Sequence, residues 1–364
     1  MTTSPIQSID NRSLVNPLLS ICIPTFNRAS CLDNLLKNIS NIVLQYGADI
    51  EICISNNNSS DNTAKVIQGW SNKFEIKHIK QKQNIGGTSN AIAVTNEATG
   101  RWLILIGDDD EFLVENFKNL IVYLKTASET DWIMVGVLDN TSGNNMLRDI
   151  PIGHHNAENF KKILLRTGLY KFGFIGMHIF PITVRKTFSN LTLEQAKPWA
   201  HLALLLRHLN QGQIQILTTP IVKQAAGGAE LFWKSGDWMH VNLQKLNIID
   251  AAKIEKNQNS YFFNRLIIKE IYSKVNINNI VAWKIREPKD FSTRAYREFV
   301  TRYKFAGYLI FLLIPHFVLL LSLIAVPDRL VLVALRLMNK MDLMDSYVAE
   351  KNLKKKFDGI ERGT

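Results

Sequence analysis

Four consecutive acids, Asp108, Asp109, Asp110 and Glu111, follow an apolar run that ends at Ile106, with only Gly107 between. Adjacent carboxylates repel one another, so holding them together costs free energy unless a cation offsets the charge. Oxygen-only ligands at a strand end suit a hard divalent ion, Mg²⁺ or Mn²⁺, held by one or two carboxylates and completed by substrate phosphates. The competing reading is a solvated acidic turn that caps the next helix through its dipole. Two more polar clusters, Thr25–Arg28 and Asn56–Asp61, also close apolar runs. Three such clusters at strand ends favour the metal reading over an isolated acidic turn.

The elements that would position these clusters are legible in the pattern. Leu18–Ile23 is a short apolar run ended by Pro24 and predicts a buried strand. Leu32, Leu35, Leu36, Ile39, Ile42 and Val43 recur at helical spacing and predict a helix with one apolar face. Asp49–Ser55 predicts a second strand, Thr63–Trp70 a helix, Phe74–Ile79 a third strand, Ser89–Ala98 a helix and Arg101–Ile106 a fourth strand. Strands alternating with helices predict a parallel sheet covered on both faces, with ligands beyond the carboxyl ends of its strands. After residue 112 the alternation loosens. The reading there is a helix at Val114–Leu124, a strand at Trp132–Leu138 and a polar loop at Asp139–Gly153. Phe172–Phe180 is an apolar run, Leu193–Leu209 a helix and Ile214–Leu217 a strand. Residues 224–237 predict a loop over a site, followed by helical sequence from Val241 to Asn276.

The chain has 364 residues, 46 % of them hydrophobic and 21 % charged, which excludes a disordered or low-complexity protein. Three cysteines, Cys22, Cys31 and Cys53, exclude a disulfide scaffold and read as reduced residues of a cytosolic protein. Met1–Pro17 is polar, a flexible lead-in without the apolar centre of a signal peptide. The net charge of +11 favours anionic partners. Between Lys253 and Lys304 there are 12 basic and 5 acidic residues. This segment leads into uncharged sequence from Phe305 to Pro327, which points to membrane phosphates and away from nucleic acid. As one helix those 23 residues would reach about 34 Å. Pro315 interrupts them and Pro327 ends them, so 305–338 is read as a re-entrant or interfacial hairpin, with a single span or a buried helix as alternatives.

The run Ser20-Ile-Cys-Ile-Pro-Thr-Phe-Asn-Arg28 resembles the opening strand of family 2 glycosyltransferases of GT-A fold. Ile54-Ser-Asn-Asn-Asn-Ser-Ser-Asp-Asn-Thr63 is similar to their second motif, Asn84-Ile-Gly-Gly87 to their third, and Leu105-Ile-Gly-Asp-Asp-Asp-Glu-Phe112 to their metal-binding strand end. The resemblance covers roughly residues 18–125, and the Gly-Asp-Asp-Asp-Glu form looks closest to the abequosyltransferase-like branch. It implies a GT-A domain over 18–240, with a nucleotide-sugar half at 18–125 and an acceptor half at 126–240. Residues 241–364 would form a helical, membrane-associating region. It also implies that Pro24, Thr25, Phe26 and Arg28 line the nucleotide, although Phe26 can equally be a core aromatic. Asn56 and Asn57 stand where many relatives hold the base with an Asp. An amide both donates and accepts hydrogen bonds, so uridine cannot be assumed. Asp61 would cap the next helix. Asn84 and Gly86 would border the ribose or diphosphate. If Gly107 replaces the family's first Asp, the family pair is Asp109 and Asp110. If the register starts one later, Asp108 and Asp110 flank ribose and metal.

Sugar transfer needs the leaving diphosphate neutralised, the acceptor hydroxyl deprotonated and water excluded. The resemblance implies inversion at the anomeric carbon, without a covalent nucleophile. Relatives often place an acidic pair at the start of the helix read at Leu193–Leu209, and no such pair is present here. The candidates for general base are His201, Glu194, Asp237 and Glu230, with a structural histidine as the alternative for His201. Trp199, Trp233 and Trp238 are candidates to stack on a sugar. Together these features predict a peripheral or monotopic enzyme at the cytoplasmic face of a bacterial inner membrane. Its partners would be a nucleotide-diphosphate sugar and a saccharide acceptor carried on polyprenyl diphosphate or a surface polysaccharide. The rival readings are a polyprenyl-phosphate glycosyltransferase and a non-catalytic nucleotide-sugar-binding adaptor.

Overall fold

A computed structural model describes residues 16–184, 199–209 and 211–225, with a few positions between 248 and 270. By its contacts the chain divides into two compact units, Met1–Phe160 with Lys171–Ala226, and Lys161–Tyr170 with Gly227–Thr364. The first is an α/β unit. Its strands β1 (Leu19–Thr25), β2 (Ile50–Asn56), β3 (Lys77–Lys80) and β4 (Trp102–Leu105) lie in the order β3-β2-β1-β4, all parallel. β2 is buried at every position, as a strand covered on both faces must be.

The connecting helices follow the predicted periodicity. α1 (Ala29–Tyr46) buries Leu32, Leu35, Leu36, Ile39 and Ile42. α2 (Thr63–Ser71) buries Ile67 and Trp70 and packs on α1. α3 (Gly87–Glu97) packs on β1, β2 and β4. Pro24 does not end β1, as its lack of an N–H had suggested; the strand runs on to Thr25, in register with Asn56. The carbonyl of Cys22 accepts from Ile106 on the β4 side, and Pro24, two residues on, faces that same side. β4 has ended there, so the missing donor interrupts no ladder.

After the acidic turn come β5 (Glu111–Phe112), α4 (Val114–Thr126), β6 (Trp132–Leu138), β7 (Gly153–His155), α5 (Ala157–Thr167), β8 (His178–Pro181), α6 (Ala200–His208) and β9 (Ile214–Lys223). β8 lies antiparallel between β4 and β6, β6 pairs parallel with β9, and β5 closes the far edge. The apolar run Phe172–Phe180 is therefore mostly turn, with β8 at its end. α5 has no counterpart among the predicted elements, and β9 extends six residues beyond the predicted strand, through Pro220. Within the second unit, the buried Glu270 carboxylate accepts from the backbone N–H groups of Leu169 and Tyr170.

The loop read at 224–237, the helical region from Val241 and the apolar stretch 305–338 lie outside the described residues, apart from Gln224, Ala225 and the positions noted. Among the described residues no helix is long and apolar enough to cross a membrane.

Candidate active site

The strand ends of β1, β2 and β4 bring the three polar clusters together. Asp108, almost fully buried, accepts from the Thr25 hydroxyl at 2.6 Å and from Arg28 Nη1 at 2.8 Å. The same Arg28 nitrogen lies 2.9 Å from Asp109 Oδ2. One guanidinium therefore bridges two adjacent acids. Burial works against the Arg28 charge, yet Asp108 and Asp109 raise its pKa and keep it protonated. Burial also holds Asp108 above the usual carboxylate range, outweighing its bonds from Thr25 and Arg28.

Among the described residues Asp110 has no such cation. Burial first, then the Asp109 charge, push its pKa up to about 7, against a 3.2 Å bond from the Ala225 N–H to Oδ1. Gly107 makes this crowding possible. A Cβ there would stand 2.8 Å from Asp110 Oδ2 and 2.9 Å from Asp109 Oδ1. Both carboxylates thus fold over the bare glycine.

The β2 cluster is a self-bracing amide network. Asn56 Oδ1 accepts from the Ser59 N–H, while its enclosed amide nitrogen has no hydrogen-bond partner among the described residues. Asn57 accepts from the Ile85 N–H and donates to Asn84 Oδ1, each at 2.9 Å. Asn84 Oδ1 in turn accepts from the Gly86 N–H, where φ is +83° and a side chain would be strained. Asn27 and Asn58 adopt the same left-handed region, which asparagine tolerates. Asn27 ties the two loops together, its N–H donating to Ser59 Oγ and its Oδ1 accepting from the Ser60 N–H. Asp61 caps both neighbouring helices, accepting from the N–H groups of Thr63 and Ala29. Phe26 is 40 % exposed, which removes the core-aromatic alternative.

Asn90 is a positioning residue absent from the sequence-derived set. From α3 its Nδ2 donates to the Ser55 carbonyl and, at 3.4 Å, to the Thr25 carbonyl, and its Oδ1 accepts from Ser55 Oγ. Its sequence carries no signal for this, since a polar residue inside a helix is ordinary until its burial is seen. Asp109, Asp110 and Glu111 also line an open cleft of about 540 Å³ on the side of α1, with Cys31, Asn34 and Leu35 on one wall and Asn140 and Lys223–Ala225 on the other.

His201 lies elsewhere. It is buried, its Nε2 donates to the Gly173 carbonyl at 3.1 Å, and its ring sits 5.1 Å from that of His178. His178 accepts from Trp132 Nε1 and donates to the Phe172 carbonyl; burial lowers its pKa to about 4. Trp199 is buried against His201, so it offers no open face for a sugar. Glu194, Glu230, Asp237, Trp233 and Trp238 lie outside the described residues. Among the described residues no group of three or more His, Cys, Asp and Glu side chains is arranged to hold a metal ion. The acidic turn offers a pair instead, Asp109 and Asp110.

Residues 20–186 match the family model described as Glycosyl transferase family 2. The chain carries a family 2 glycosyltransferase domain. Abequosyltransferase RfbV of Salmonella typhimurium is 36 % identical over 114 residues, 31 % of this chain and 34 % of that protein. GalNAc(5)-diNAcBac-PP-undecaprenol beta-1,3-glucosyltransferase of Campylobacter jejuni is 36 % identical over 99 residues, 27 % of this chain and 31 % of that protein. The chain thus spans about a third of the length of these curated relatives. The crystal structure of S. aureus TarS 1-349 in complex with UDP-GlcNAc superposes with a TM-score of 0.52 at 14 % identity, over 76 % of this chain and 81 % of that one. The glycosyltransferase domain has the GT-A fold, and its acidic turn lies within the matched segment.

Proposed function

We propose that the chain is an inverting glycosyltransferase that moves a sugar from a nucleotide-diphosphate donor to a lipid-linked or surface-polysaccharide acceptor. One observation carries the reading: Thr25 and Arg28 brace Asp108, Arg28 also reaches Asp109, and Asp110, with no cation partner among the described residues, stands beside them at the same strand ends. The names of the Salmonella and Campylobacter relatives support a deoxysugar or undecaprenol-linked context. The nucleotide would lie against Thr25, Phe26, Asn56, Asn57, Asn84 and Gly86. Arg28 spends its Nη1 on the two carboxylates and orients them, and its remaining N–H groups would face the nucleotide.

Asp109 and Asp110 fit a hard divalent ion, Mg²⁺ or Mn²⁺, because two crowded oxygen ligands, one buried without a counter-charge, are what such an ion offsets. When bound it would neutralise charge developing on the leaving diphosphate. The acceptor hydroxyl would attack the anomeric carbon opposite that diphosphate, the bond from carbon to the phosphate oxygen breaking as the new glycosidic bond forms. The hydroxyl proton would pass to a base. His201 holds its Nε2 proton on the Gly173 carbonyl deep in the core, which suits a positioning role for the Gly173 turn. A phosphate acceptor needs no strong base, and this keeps polyprenyl phosphate as the second reading. The basic sequence at 253–304 supports a peripheral site at the cytoplasmic membrane face.

The test is turnover of a panel of nucleotide sugars with Mn²⁺ or Mg²⁺, by the full chain and by Asp110→Asn. Transfer or donor hydrolysis that vanishes in the variant upholds the reading. Binding of nucleotide without any turnover would favour the non-catalytic adaptor. Persistence of transfer in His201→Gln separates positioning from base catalysis.

A further inference from the structure

Charge is unevenly shared along the glycosyltransferase domain. Residues 62–96 hold five lysines, Lys65, Lys73, Lys77, Lys80 and Lys82, and one acid, Glu75, whereas the rest of residues 16–160 holds 6 basic and 15 acidic residues. The basic stretch spans α2, β3 and nearly all of α3, and β3 is an edge of the sheet, paired only with β2. Lys77 is committed to Glu51 and Thr99. Lys65, Lys73, Lys80 and Lys82 are exposed, and among the described residues no carboxylate lies within ion-pair distance of them. Lys73 holds its ammonium 3.8 Å above the Trp70 ring, a contact that leaves its charge unopposed. His78 and Lys80 share the exposed face of β3. Burial and the Lys80 charge hold His78 below its usual pKa, so the lysines carry the charge of this edge. The edge adjoins the candidate site. Lys80 is in register with Asn56, and Gln81 donates its N–H to the Asn56 carbonyl at 2.9 Å and its Nε2 to Ser55 Oγ at 3.0 Å.

We propose that this α2–β3 edge is the surface by which the domain docks on an anionic phospholipid bilayer, with the carboxyl ends of β2 and β3 beside the headgroups. The charge distribution selects that orientation. An anionic surface attracts the lysine edge and repels the acidic remainder, so this edge meets the membrane first. Lysines on an edge strand also deter strand pairing. That accounts for Lys80, but not for Lys65 on α2, Lys73 beyond it or the shortage of acids across 62–96. A second copy of the edge would meet it with like charge. The choice of a lipid surface rests on the glycosyltransferase reading, in which the acceptor is lipid-linked: docking here brings the strand ends to where such an acceptor is presented.

Co-sedimentation of the full-length chain with vesicles tests the proposal. Vesicles of phosphatidylcholine mixed with phosphatidylglycerol should bind the protein, and phosphatidylcholine alone should not. Each lysine at an anionic surface strengthens partitioning about fivefold, so Lys80→Gln/Lys82→Gln should weaken it about thirtyfold at low salt. The loss should shrink at high salt, where the charges are screened. Lys37→Gln/Lys118→Gln removes the same charge from exposed positions on α1 and α4 and should leave partitioning unchanged. The basic sequence at 253–304 is intact in both variants, so its attraction cancels from the comparison. In the wild type, anionic vesicles and not neutral ones should slow amide hydrogen exchange across residues 76–84. Equal partitioning into neutral vesicles, an unaltered affinity of Lys80→Gln/Lys82→Gln, an equal loss in the Lys37 and Lys118 variant, or unslowed exchange across 76–84 would overturn the proposal. So would lysine-dependent binding of duplex DNA that is tighter than binding of anionic vesicles. None of these readouts needs turnover. Failure of the docking surface therefore leaves the glycosyltransferase reading standing, and failure of sugar transfer leaves the docking surface to be decided by partitioning alone.

Discussion

Replacing Asp110 by Asn should stabilise the protein while abolishing transfer. The native carboxyl is raised from its ordinary 3.8 to about 7, because it is buried beside the Asp109 charge. A group that binds its proton more tightly folded than unfolded contributes stability below the unfolded pKa and loses it as pH rises toward the folded value. The loss therefore begins near pH 4 and is complete just above pH 7. At about 1.36 kcal/mol per pH unit the interval is worth about 4 kcal/mol, and relaxation and solvent ions reduce the expected figure to about 2 kcal/mol. Asparagine keeps an oxygen for the Ala225 N–H and removes the charge. Denaturant unfolding at pH 5 and pH 8.5 should then show the variant more stable at pH 8.5, with the gap shrinking toward pH 5. Mn²⁺ should raise the wild-type midpoint at pH 8.5 and leave the variant unmoved. A variant less stable than wild type at pH 8.5, or one that still transfers sugar, would refute the reasoning.

Gly107→Ala should change the unfolding free energy by no more than about 1 kcal/mol, since the clashing atoms are carboxylate ends, yet lower kcat about a hundredfold by displacing Asp109 and Asp110; steady-state kinetics beside chemical unfolding separates the two. Arg28→Ala removes the cation shared by Asp108 and Asp109 and should cost about 2 kcal/mol at pH 8 and less at pH 4, where Asp108, its pKa raised by burial, takes up a proton. Glu51 sits behind the sheet with Lys77, Ser20 and Thr99, whose bonds outweigh burial and lower its pKa to about 2. Its contribution, about 2 kcal/mol after discounting the partly exposed Lys77, should be full above pH 4.5 and fade toward pH 2, so Glu51→Gln flattens the acid limb of the stability curve. His178, neutral in the core with a pKa near 4, should make wild-type stability fall by up to about 3 kcal/mol from pH 6.5 to pH 4 as the unfolded imidazole takes up a proton. That component should be missing in His178→Asn.

The parallel half of the fold was legible because its signals are local. Leu32, Leu35, Leu36, Ile39 and Ile42 state a helical stripe, and the fully buried β2 states a two-sided strand. The acidic turn was legible for the same reason: four charges in a row after an apolar run leave few alternatives. What escaped were relations between distant positions. That Asp108 is the doubly braced acid and Asp110 the unbraced one depends on Arg28 and Thr25, about eighty residues away, reaching Asp108, and Arg28 also Asp109, among three near-identical neighbours. Asn90 reads as an ordinary helical residue until Ser55 and Thr25 are seen to end beneath it.

His201 shows the same limit from the other side. By residue type it is a fit general base, and only the fold reveals its proton committed to Gly173 and its ring packed among His178 and Trp199. A residue's pKa in water says what it can do; its partners decide whether it is at liberty to do it. The two carbonyl-bound histidines stiffen the turn Phe172–Gly173 instead. Asp110 is the converse case, a carboxyl that has no counter-charge among the described residues and is held at a cost in stability. Strain of this kind persists where a ligand relieves it, and in the function proposed above that ligand is a cation with a diphosphate behind it.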